Sequence, residues 1–113
     1  MLLYDVAKST YLEIKAAVIA ADDPIGRYED MFEKLLKSAV SYAETRAEWA
    51  FMDRAEQAER DRGRTIKHDT FMSNLTALCD ALHIKYIDTL MPDRKDKGDF
   101  ACYIALFLSI EQR

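Results

Sequence analysis

The chain has 113 residues, a formal net charge of -4, 50% hydrophobic and 32% charged residues. That length suits one domain, and that balance excludes wholesale disorder. Three Gly and two Pro are too few for a β-sandwich or barrel with many tight turns, and the acidic balance argues against generic nucleic-acid binding.

Hydrophobic periodicity predicts four helices, hence an all-α, four-helix bundle-like single domain over residues 1–113. The first covers about Leu2 to Ala20, with Leu3, Val6, Thr10, Ile14, Ala17 and Val18 on one face. It breaks at Ala21-Asp22-Asp23-Pro24, where Asp23 is placed to cap the next helix and Pro24 to occupy its first turn. The second runs from about Ile25 to Arg62 on the stripe Tyr28, Phe32, Leu35, Ala39 and Tyr42, with Asp30–Lys34 and Glu33–Lys37 as acid-before-base pairs four apart. Gly63 then supplies a left-handed stop, and Arg60 and Arg62 suit the negative end of the helix dipole.

Thr65 caps the third helix, which carries Ile66, Phe71, Met72, Leu75, Leu78, Cys79 and Leu82 and packs antiparallel to the second. Its exit stays open, since His83-Ile84-Lys85-Tyr86-Ile87 holds no breaker before Pro92. Asp93 or Asp96 caps a fourth helix, which reaches about Glu111. It is apolar nearly all round and therefore the most buried element. Its run Phe100 to Leu108 is about half of the ~20 residues a bilayer span requires, and the N-terminus lacks the basic segment of a signal peptide. A cytoplasmic protein without membrane contact is the expectation.

The stripe of the second helix continues at the same spacing as Arg46, Trp49, Asp53, Glu56 and Arg60, so an apolar face becomes charged. Two readings follow: the helix outgrows its core into water, or these groups line a polar cleft. With a reversal at Gly63, His68 falls opposite Glu56 to Ala58, and a carboxylate beside an imidazole favours its charged form. Arg46, Asp53, Glu56, Arg64 and His68 are then a candidate site for a small anionic ligand. If catalytic, His68 is the acid/base, Glu56 orients it and Arg46 or Arg64 clamps the anion. Arg62, Arg64 and the Thr65 turn offer a second anion site at the start of the third helix.

Other chemistry has less to stand on. No Glu-x-x-His or His-Glu-x-x-His occurs, so no metal is expected. No nucleotide-binding motif occurs, so no cofactor is expected. Cys79 and Cys102 lie in apolar surroundings, where thiols are inert. Aromatic side chains in excess of what a small core can hold point to a homodimer interface at Trp49, Phe51, Tyr103 and Phe107.

The string Tyr42-Ala43-Glu44-Thr45-Arg46-Ala47, with Arg64-Thr65, His68-Asp69 and Gly98-Asp99-Phe100-Ala101, resembles a family of small bacterial helical proteins of unknown function over about residues 28 to 110. The resemblance implies an all-helical fold, a bacterial source and a single constellation of Arg46, Arg64 and His68, and no reaction. The combined expectation is a non-catalytic, self-associating interaction or regulatory module. The alternative is a small-molecule or anion-binding protein, an enzyme among the options, using the cleft between the second and third helices.

Overall fold

The computed structural model describes residues 3–84 and 94–112. All regular structure there is helical: α1 (Leu3–Ala20), α2 (Arg27–Ala50), α3 (Arg54–Ala81) and α4 (Arg94–Gln112). The expected four-helix, all-α bundle is present, with α2 as its hub. It packs along both α3 and α4, while α1 lies against α4.

Asp23 organises the entry to α2. Its carbonyl accepts from the Gly26 N–H at 3.1 Å, and its two carboxylate oxygens accept from the N–H groups of Arg27 and Tyr28 at 2.8 Å each. The capping role expected of Asp23 is therefore present, reached across a turn. Pro24 sits in that turn before the helix rather than in its first turn. Gly26 closes the turn at φ +71°, a left-handed conformation that costs other residues about 1–2 kcal/mol.

The second helix is shorter than its periodicity suggested. It ends at Ala50, and the N–H groups of Phe51 and Met52 fold back onto the carbonyls of Glu48 and Trp49. Asp53 is extended and caps α3, its carboxylate accepting from the Glu56 N–H at 2.9 Å. Asp53-Arg54-Ala55-Glu56 has the spacing of a capping box, which sets a helix start at Arg54. The reversal expected at Gly63 is corrected accordingly: α3 runs unbroken through Gly63 and Thr65. Gly63 has no left-handed φ, and glycine within a helix costs only about 0.5–1 kcal/mol, too little to end one whose partner helix continues beside it.

The exit of α3, open from sequence, is a Schellman turn. His83 takes φ +58°. The N–H of Ile84 bonds to the Cys79 carbonyl at 2.8 Å and that of His83 to the Asp80 carbonyl at 3.3 Å, while Ile84 is buried. The expected stops and caps at Pro92 and Asp93 lie outside the described residues, and Asp96 falls inside α4 rather than before it.

Burial divides the long hairpin in two. The core joins Ala7 and Ile14 of α1, Leu35, Leu36, Ala39 and Tyr42 of α2, Phe71, Leu75, Leu78 and Cys79 of α3, and Phe100, Ile104 and Leu108 of α4. No residue from 43 to 70 is fully buried, so the end of α2 and the first half of α3 project beyond the core as a two-helix arm. Nor is α4 buried all round, because Tyr103, Leu106 and Ile110 share an exposed face. The pairs Asp30–Lys34 and Glu33–Lys37 do not close, each lysine lying without an ion pair among the described residues.

Two alanine substitutions check this backbone. No heavy atom lies within 4 Å of a Cβ built at Gly26 or Gly63, so backbone conformation decides both outcomes. Gly63→Ala is expected to stabilise by about 0.5–1 kcal/mol and raise the thermal midpoint by a few degrees, while Gly26→Ala destabilises by about 1–2 kcal/mol. Calorimetry reads both, and a reversal at Gly63 predicts a loss for each.

Candidate functional site

Where the arm leaves the core, α2 presents Tyr42, Arg46 and Trp49 on one face, and α3 presents Arg64, His68 and Phe71 at the same spacing. The reversal at 51–53 sets these stripes against each other. Tyr42 stacks on Phe71 with ring centroids 5.7 Å apart and meets the edge of His68 at 5.4 Å. Farther out, the guanidiniums of Arg46 and Arg64 lie 4.7 and 4.9 Å from the indole of Trp49. The indole N–H donates to the Gln57 carbonyl at 3.3 Å, and the Gln57 amide donates back to the Trp49 carbonyl at 3.1 Å. The indole thus ties two cations and the first turn of α3 to the end of α2.

Of the five expected ligand residues, the structure gathers Arg46, Arg64 and His68 along this seam and leaves Asp53 and Glu56 outside it. Asp53 is spent on capping, and Glu56 is exposed in the first turn of α3. The expected pairing of His68 with Glu56 is corrected. His68 Nδ1 lies 3.2 Å from the carboxylate of its exposed neighbour Asp69, and Arg46 stacks on Trp49. The cause is register, because moving the turn from Gly63 to Asp53 brings His68 opposite Tyr42. The second anion site also dissolves, since no helix begins at Thr65 and Arg64 is drawn onto Asp61 at 2.7 Å.

The expected interface residues separate similarly. Phe51 stands at the turn, 93% exposed. Phe107 packs against Tyr4 and Tyr11, Tyr103 meets the edge of Tyr4, and Trp49 is enclosed by its two guanidiniums. Much of the apparent aromatic surplus is therefore used within the chain. Among the described residues no group of three His, Cys, Asp or Glu side chains could hold a metal ion, and no helix is long and apolar enough to cross a membrane.

A groove that the sequence did not single out lies on the other side of α2. It has a volume of about 330 Å3 between Ala43, Ala47 and Ala50 of α2 and Cys102, Ala105 and Leu106 of α4, with Tyr42 and Arg46 also lining it. The alanine spacing was visible, but read alone it signals helix propensity rather than a groove. Inside, the Tyr42 hydroxyl sits 3.5 Å from the Cys102 sulfur.

Burial pushes the Tyr42 phenol up, Cys102 adds to this, and Arg46 and Arg64 pull partly the other way. Burial likewise pushes the Cys79 thiol up to about 12, with smaller contributions from Asp80 and Glu13. Both groups are neutral in the fold and ionise more readily in the unfolded chain. Their contribution is therefore complete at neutral pH and is lost as pH rises past the ordinary thiol and phenol values. Tyr42→Phe keeps the ring contacts and removes one of these titrations. The variant is expected to lie within about 1 kcal/mol of the parent at pH 7 and to lose less stability between pH 9 and 11, as read by denaturant titration across that range.

Compared with known family models, curated proteins and solved structures, the chain matches none.

Proposed function

We propose that the protein is a non-catalytic interaction module that self-associates as a symmetric dimer through the α2–α4 face. The observation that carries this reading is the combination on one face of an apolar groove and the side chains able to fill its counterpart. The groove runs along Ala43, Ala47 and Ala50. Leu106 is 52% exposed at its edge, with Tyr103 and Ile110 on the same face of α4 and Phe51 one turn beyond Ala47. A two-fold dimer buries the same patch on both subunits, so recess and projection must lie together, as they do here. Apolar side chains exposed side by side gain roughly 25 cal/mol for each Å2 removed from water, which favours their burial against a second copy.

This reading places the function on the apolar face and leaves the Arg46–Trp49–Arg64 contact to join α2 to α3. Light scattering after size exclusion tests it. The wild-type chain is expected at twice the monomer mass at about 100 µM, and the double variant Ala47→Glu/Leu106→Glu at the monomer mass with its helical circular dichroism retained. A wild-type chain that stays monomeric at that concentration, or a double variant that stays dimeric, contradicts the proposal.

A further inference from the structure

The opposite side of the hairpin carries a different surface. Two hollows lie end to end between α2 and α3, one of about 380 Å3 and one of about 180 Å3, and Lys67 borders both. Their walls supply five cations, Lys34, Lys37, Arg60, Arg64 and Lys67, against the single carboxylate of Glu48. This concentration arises in a chain whose net charge is -4. Asp61 holds Arg64, but Lys34, Lys37, Arg60 and Lys67 make no ion pair among the described residues. From Lys34 to Glu48 the groove follows α2 for about 20 Å at 1.5 Å per residue.

The floor is not that of a phosphate site. Ile66 lies in the larger hollow, 54% exposed, and Trp49 and Met52 lie in the smaller. No helix begins here to offer free N–H groups, since both hollows lie along the middle of α3. Gly63 carries no side chain into the smaller hollow, and a Cβ there would meet nothing within 4 Å, so the space is open to an incoming group. A cationic rim over an apolar floor complements carboxylates alternating with apolar side chains.

We propose that this groove binds an acidic amphipathic peptide segment of a partner protein, its carboxylates on the rim lysines and arginines and its apolar side chains on Ile66, Met52 and the edge of Trp49. The site is separate from the α2–α4 face, and each can fail alone.

Fluorescence anisotropy with a labelled 16-residue peptide, glutamates with leucine or phenylalanine at helical spacing, tests it. Saturable binding is expected at 50 mM NaCl and weaker binding at 300 mM. Lys37→Glu/Lys67→Glu is expected to weaken binding at least tenfold, and Lys37→Gln/Lys67→Gln several-fold. Lys8→Glu on α1 and Ala47→Glu/Leu106→Glu are expected to leave it within twofold. Oligoglutamate of equal charge is expected to bind at least tenfold more weakly. No saturable binding below 1 mM, an unchanged affinity in both lysine pairs, or equal binding of oligoglutamate or polyphosphate overturns the proposal.

Discussion

The reversal at Phe51-Met52-Asp53 is the constraint from which the rest of the molecule follows. One carboxylate on the Glu56 N–H starts α3, and two N–H groups turned back on Glu48 and Trp49 stop α2. Once that turn is fixed, helical geometry leaves one register. Tyr42 meets His68 and Phe71, and the Asn74 amide reaches the Ser38 hydroxyl at 3.1 Å. Both surfaces given a role above depend on it, because α2 turns its alanine stripe to α4 and its lysines toward α3.

Beyond Tyr42 and Phe71 the hairpin has no core beneath it. Polar and aromatic contacts must hold it: two guanidiniums on one indole, a reciprocal pair of hydrogen bonds between Trp49 and Gln57, and the cap at Asp53. Each cation–π contact is worth about 0.5–1 kcal/mol where water has access, and a cap about 1 kcal/mol. The arm is therefore expected to open more readily than the core.

Much of this was legible in the sequence. Core residues from Leu35 to Tyr42 and from Phe71 to Cys79 follow from periodicity, since only one face of each helix can be covered. The turn was not legible by the same means, because the stripe through Arg46, Trp49, Asp53 and Glu56 keeps helical spacing across a break. Periodicity records which face a residue occupies and does not register a cap. Asp53-x-x-Glu56 carried the signal, and the lone Gly63 outweighed it although glycine is a weak stop without tertiary support. Grouping Arg46, Arg64 and His68 survived the change of register because all three lie on the facing stripes whichever turn joins them. Asp53 and Glu56 did not survive it, since the turn took them.

Nuclear Overhauser spectroscopy of the aromatic rings can decide where the chain reverses. Cross-peaks are predicted between the Tyr42 ring and those of His68 and Phe71, and between the Trp49 indole and the side chain of Arg64, all within about 6 Å. Cross-peaks from His68 to Glu56, Gln57 or Ala58, with none to Tyr42, would place the turn at Gly63 and remove both the groove and the face built upon it.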